Sequence, residues 1–233
     1  NIATTTQVLD AEGKWLNRRF YTFHQQKRPY IILKWAQSAH GYFAPYGNKR
    51  YQLTNAYSQV LVHKWRTEEA AIMVGTNTAL ADDPQLTASL WQGKQPLRIV
   101  LDRSLILPAN LKLFDNEVPT WVVNDKKEEQ VSNTSYIKLD FDGDMLQALI
   151  AKLYAANILS VIIEGGTKLL DSFIGHRLWD EARIFTAGKD IDRGLPAPLI
   201  IEGQKAFSTT LESDVLDVYV NKNSPYPYVQ GME

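Results

Sequence analysis

The chain contains no cysteine. That excludes disulfides, thiolate catalysis and cysteine-ligated zinc. No apolar run reaches the roughly 18 residues of a membrane-spanning helix. The first residues are polar, so no secretory signal is visible and a cytoplasmic location follows by default. Formal net charge is -1 and the pI is about 6.5. No basic excess points to nucleic acid, and no acidic excess points to a disordered tail. Gly-x-Gly-x-x-Gly, the P-loop and the Gly-x-Ser-x-Gly elbow are all missing, which leaves the usual Rossmann and hydrolase sites unsupported. The four histidines, His24, His40, His63 and His176, show no metal-ligand spacing, and no metal site is expected.

What is present is a chain of 233 residues, 45% of them hydrophobic, enough for one large or two small domains with a sizeable core. Residues 1–28 show no clean period and read as a connecting arm with aromatic anchors. From Pro29 strand and helix patterns alternate. Strands are expected at 29–36, 70–74, 97–101, 120–123, 160–164 and 181–187. A helix is expected over 54–66 with Thr54 as N-cap, another capped by Asp144, and a short one over 167–175. Residues 206–220 read as two strands about a turn at 212–214, and 221–233 as a polar tail. This alternation predicts an α/β sheet with helices on both faces.

Three places carry candidate chemistry. In Ala70 to Thr87 an apolar run breaks at Gly75 into a hydroxyl-rich turn, which Asp82-Asp83-Pro84 then stops. Glu164-Gly165-Gly166-Thr167 joins an apolar strand to a helix, where glycine permits close backbone approach and the helix start offers amides to an anion. A tight strand-to-helix turn would read the same way. Glu164 itself, an acid ending an apolar strand, needs partners. Lys34 interrupts another apolar strand on the face of Ile32 and Ala36; an edge-strand lysine reaching solvent is the competing reading. Arg66 and Arg103 could bind phosphate, or could be a helix-dipole cation and an exposed arginine.

Five ordered blocks resemble the reductase domain of the bifunctional riboflavin-biosynthesis deaminase/reductase. They are Arg28-Pro-Tyr-Ile-Ile-Leu-Lys-Trp-Ala-Gln-Ser, Leu53-Thr-Asn with the helix to His63-Lys-Trp-Arg66, Val74-Gly to Leu86-Thr87, Leu97-Arg-Ile-Val-Leu-Asp-Arg103, and Ile162-Ile-Glu-Gly-Gly-Thr through Trp179-Asp-Glu. The resemblance implies a dihydrofolate-reductase-like fold, a mixed and mostly parallel sheet flanked by helices on both faces. It implies a homodimer that uses NADPH to reduce the ribosyl group of 5-amino-6-(5-phosphoribosylamino)uracil to a ribityl chain. It divides the chain into an arm, 1–27, from an upstream deaminase, a reductase domain, 28–221, and a tail, 222–233. The deaminase zinc signature is absent, so the chain is read as the C-terminal portion of such an enzyme or as a stand-alone reductase.

Carried over by position, NADPH meets Ala36, Gln52, Thr78, Asp82, Arg103, Gly165, Gly166, Thr167, Lys168, Leu169, Leu170 and Ser172. Substrate meets Arg50, Arg66, Leu86, Glu164 and the position held by Ser89. Lys34 and Glu164 flank the reacting sugar, Arg66 takes the substrate phosphate, and Arg103 favours the 2′-phosphate of NADPH. The chain departs from the family pattern at His40, usually Asp, and at Ser89, usually a substrate-binding Arg; Arg50 is the expected replacement. A related pterin or pyrimidine reductase and a non-catalytic scaffold domain are the alternative readings.

Overall fold

The computed structural model describes residues 8–47 and 51–232. The chain opens with two short helices, α1 (Asp10–Leu16) and α2 (Arg18–Gln26). Then follow β1 (Tyr30–Gln37), β2 (Tyr42–Pro45), α3 (Ala56–Glu68), β3 (Ala71–Gly75), α4 (Thr76–Asp82) and β4 (Leu97–Leu101). Next come β5 (Thr120–Asn124), β6 (Glu129–Val131), β7 (Thr134–Lys138), α5 (Met145–Ala155), β8 (Ser160–Ile163) and α6 (Thr167–Gly175). The chain closes with β9 (Glu181–Thr186), β10 (Gly194–Pro196), β11 (Gly203–Leu211) and β12 (Asp214–Asn221).

Among the described residues, ten strands form one sheet in the order β11-β12-β9-β1-β8-β3-β4-β5-β7-β6, and β2 pairs with β10 separately. The six pairings from β9 across to β7 are parallel, while both ends of the sheet close with antiparallel hairpins. β1 lies between β9 and β8, in the middle of the sheet. The edge-strand reading of Lys34 is therefore wrong: its strand has neighbours on both sides.

Period-2 alternation distributes β1 between two cores. Ile31, Leu33 and Trp35 pack with α5 and α6 through Leu149, Leu153, Leu170 and Phe173. Tyr30 and Ile32 pack with Val62 and Trp65 of α3 on the opposite face. A third apolar cluster lies under α4, where Val74, Ala79 and Leu86 meet Val100 and Val122. The mixed α/β sheet with helices on both faces is thus what the sequence pattern predicts.

Several local expectations need correction. The arm is helical from Asp10 and docks on the domain. Trp15 is buried, its indole N–H donates to the Met232 carbonyl at 3.0 Å, and its ring meets Tyr228 edge-on at 5.3 Å. Aromatic contacts from the tail and ion pairs from Arg18 and Arg19 to Glu181 and Glu69 hold these helices. The N-cap of α3 is Asn55, whose side chain accepts from Ser58 N; Thr54 lies one residue outside. The turn expected after Gly75 is the helix α4. The short strands β2, β6, β7 and β10 escape the sequence pattern because, unlike the equally short β3, β4 and β8, they lack an apolar run. Among the described residues no helix is long and apolar enough to cross a membrane, and no group of three His, Cys, Asp or Glu could hold a metal ion.

Candidate active site

Parallel register brings the central chemistry together. Leu33 of β1 sits opposite Ile163 of β8, so the next residues, Lys34 and Glu164, follow side by side. Both continue the face of Ile32 and Ile162, which packs against α3. Arg66, in the last turn of α3, reaches that face. Its Nη2 donates to Glu164 Oε2 at 2.7 Å, its Nε to Oε1 at 3.3 Å, and its Nη1 to the Thr87 carbonyl at 2.9 Å. The Arg66 and Glu164 side chains are only 14% and 8% exposed, so water screens this pair little.

Electrostatics follow from that burial. Desolvation pushes the Glu164 carboxyl up, but the Arg66 and Lys34 cations outweigh it and hold the group at about 2. Glu164 is a carboxylate at any ordinary pH. Burial lowers the pKa of the Lys34 ammonium; Glu164 opposes that shift and Arg66 adds to it. Among the described residues Lys34 Nζ has no hydrogen-bond partner, although it lies 5.9 Å from the Phe185 ring centre. A buried cation facing open space without a direct partner is costly unless something binds there.

The open space is a cleft of about 1320 Å³ at the carboxyl ends of β1, β8 and β3. Pockets for single small ligands run to about 1,000 Å³, so two molecules fit here. Lys34, Glu164, Arg66 and Leu86 line one part. Ala36, Gln52, Thr78, Asp82, Gly166, Thr167, Lys168, Leu169 and Ser172 also line it. Gly165 has φ +116, and a Cβ there would lie 3.2 Å from the Phe43 ring; a Cβ on Gly166 would lie 3.2 Å from Thr78 Oγ1. Glycine suits the positive φ at 165, and the missing Cβ at 166 leaves room for Thr78 of α4 beside the first turn of α6. The Thr167 and Lys168 amides at the start of α6 have no partner within the helix, and both residues line the cleft, an arrangement that suits a pyrophosphate. The residues present therefore fit a dinucleotide.

Other predicted residues lie elsewhere. Leu170 is fully buried in the α5–α6 core, on the far side of its helix from the cleft. Gly165 supports the wall without lining it. Arg103 also stands outside the lining, at the rim: its guanidinium holds Asp125 at 2.9 Å and Asp142 at 2.7 Å and lies over Phe141, which does line the cleft. Ser89 is exposed, and its backbone N–H donates to His63 Nδ1 at 3.0 Å. Arg50 lies outside the described residues. His40, the other departure, pairs with Asp190 and ties the β1–β2 turn to the loop before β10, away from the cleft lining.

Sequence reasoning missed Phe43, Tyr46, Tyr51, Phe141 and His176 as cleft residues. Four of these come from a short strand or loops that carry no period. His176 caps the C-terminal end of α6, and no sequence pattern marks it as a cleft residue.

Fold and cleft together define a dihydrofolate-reductase-like domain; dihydrofolate reductase from Enterococcus faecalis superposes with a TM-score of 0.51 over 83% of this chain and 97% of its own, at 12% identity. The chain belongs to the RibD C-terminal domain family, whose model matches residues 29–191. Riboflavin biosynthesis protein RibD of Aquifex aeolicus is 35% identical over 193 residues, 81% of this chain and 54% of the relative. A 2,5-diamino-6-ribosylamino-4(3H)-pyrimidinone 5′-phosphate reductase of Archaeoglobus fulgidus is 29% identical over 76% of this chain and 88% of its own length. The deaminase/reductase structure from Thermotoga maritima aligns with a TM-score of 0.81 and 26% identity over 92% of this chain and 62% of that one. The chain spans about half the length of the RibD relative.

Proposed function

We propose that this domain uses NADPH to reduce the ribosyl group of 5-amino-6-(5-phosphoribosylamino)uracil to a ribityl chain in riboflavin biosynthesis. The observation that carries the reading is Lys34 beside the Arg66–Glu164 pair in a cleft large enough for cofactor and substrate together. In support, the Archaeoglobus relative of similar length is named for reducing a ribosylamino-pyrimidinone phosphate.

The reaction needs the sugar ring to open. The ring oxygen leaves C1′ and takes a proton while the nitrogen lone pair forms the C1′=N bond, giving a protonated imine that hydride converts directly to the amine. NADPH, when bound, supplies hydride to C1′. Glu164, kept ionised, cannot be the acid; it accepts hydrogen bonds from ribose hydroxyls and aligns the sugar. Lys34 is then the proton donor, because its buried ammonium releases a proton more readily than lysine in water. Arg66 spends three donors on Glu164 and Thr87 and keeps the others of its guanidinium for the substrate phosphate.

The cofactor lies along Ala36, Gln52, Thr78 and Asp82 toward the first turn of α6, with Lys168 and Ser172 nearby and Arg103 at the rim for the 2′-phosphate. Arg50 takes the place of the arginine missing at Ser89. A homodimer and an upstream deaminase in the full-length protein complete the reading. The test is a steady-state assay following NADPH oxidation with the phosphoribosylamino-uracil and identifying the ribityl product. Substrate-dependent oxidation is expected; NADPH binding without turnover of that substrate overturns the substrate, and no NADPH binding overturns the enzyme.

A further inference from the structure

One titratable group beside the cleft has no task in that mechanism. His63 stands on α3, just before Arg66 in sequence. Its Nδ1 accepts the backbone N–H of Ser89 at 3.0 Å and of Leu90 at 3.4 Å. The same loop gives its Thr87 carbonyl to Arg66 at 2.9 Å and its Ala88 N–H to Gln95 Oε1 at 2.7 Å. Leu86 heads the loop, is buried, lines the cleft, and has φ +56. Leucine rarely adopts that left-handed backbone, and such a residue persists only where its surroundings hold it. Three side chains do the holding, and one of them titrates.

We propose that neutral His63 is a positioning residue that holds the Leu86–Leu90 loop against the substrate end of the cleft. The inference rests on the functional reading above for the identity of the substrate. A histidine accepts at Nδ1 only while that nitrogen carries no proton, so the required form is neutral with its proton on Nε2. The groups around it favour that form. Burial, Arg66 on its own helix and Lys34 on β1 disfavour the imidazolium, while Glu164 after β8 opposes them. The loop from Thr87 to Trp91 brings no charged side chain. The latch therefore closes at neutral pH and opens in acid, below the ordinary histidine value of 6.5.

The test compares the wild type with His63→Leu and His63→Asn. Asparagine places an oxygen acceptor where Nδ1 stands and does not titrate; leucine removes the acceptor. In the wild type, KM for the phosphoribosylamino-uracil should rise as pH falls below the His63 pKa. H63L should show a KM raised about 5- to 10-fold at neutral pH, the size expected for one lost hydrogen bond, with kcat and the KM for NADPH little changed. H63N should restore a low KM and abolish its rise in acid. H63L with a wild-type KM and acid profile, or H63N no better than H63L, overturns the proposal. Amide exchange at Ser89 and the His63 tautomer, read by nuclear magnetic resonance on the free wild-type protein, need no substrate. Protection of Ser89 lost in parallel with His63 protonation supports the latch even if this substrate proves wrong; an Nδ1-protonated neutral tautomer overturns it.

Discussion

Arg66 grips Glu164 through both carboxylate oxygens, at 2.7 and 3.3 Å, across a gap between a helix and a strand end 98 residues apart in sequence. This fork holds the acid ionised and aims it at the cleft. Replacing it with a point charge tests that role. In Arg66→Lys the bidentate contact is lost, and the buried Glu164 carboxyl moves up from about 2. The acid limb of the kcat/KM profile should move to higher pH in R66K, with kcat/KM at neutral pH down about 10²-fold. A pH–rate series checks both.

Lys34 gives a prediction in which stability and activity move in opposite directions. Its folded-state pKa is lowered from 10.5 mainly by burial, so between that value and 10.5 the unfolded chain binds more protons. Stability contributed by this group rises with pH across that window. Lys34→Met removes a desolvated cation and should raise the melting temperature. It should also cut kcat by about 10²- to 10⁴-fold, the range for a lost general acid. Calorimetry with single-turnover kinetics decides; a destabilised K34M would mean that the ammonium is held by partners in the free protein.

Arg103 tests cofactor choice at the rim. Asp142 is 82% exposed, so its hold on Arg103 is weak and gives way to a stronger anion. Arg103→Ala should lower the preference for NADPH over NADH about tenfold, leaving NADH kinetics unchanged. Comparing kcat/KM for the two cofactors at two salt concentrations measures it.

A separate buried network anchors the arm. Glu69 is buried and accepts Arg19 Nε at 2.7 Å and Arg183 Nη2 at 3.4 Å, while Arg183 Nε holds Glu181 at 2.6 Å. Burial raises the Glu69 pKa, but Arg19 and Arg183 bring it below 4.5. Its stabilising contribution is present above 4.5 and is lost as pH falls toward the depressed value. Glu69→Gln leaves two buried guanidiniums short of a charge and should cost about 3–5 kcal/mol. Urea unfolding at neutral pH checks the size, and repeating it in acid should show the difference from wild type shrinking.

How much was legible depended on the kind of signal. Helix α6 and strand β4 match their expected bounds because each has a clear apolar period and a glycine or charged stop. The aromatic anchors of the arm were legible, but its helices were not, because Trp15 and Phe23 are buried by residues far away, including a tail that looks like polar linker. Lys34 was recognisable as an oddity in an apolar strand, yet its neighbours belong to strands 130 and 150 residues downstream, so centre and edge were indistinguishable. Arg103 and Leu170 sit in the expected segments, but whether a side chain faces cleft, core or rim is set by packing.

By itself the sequence determined the class of fold, the Gly165–Gly166 turn and the residue types available for chemistry, because these depend on local period and backbone freedom. Tertiary structure decided which of them meet. Parallel register set Lys34 beside Glu164 and α3 delivered Arg66 to both; the two cations keep the acid ionised against its burial, while burial disfavours charge on the lysine.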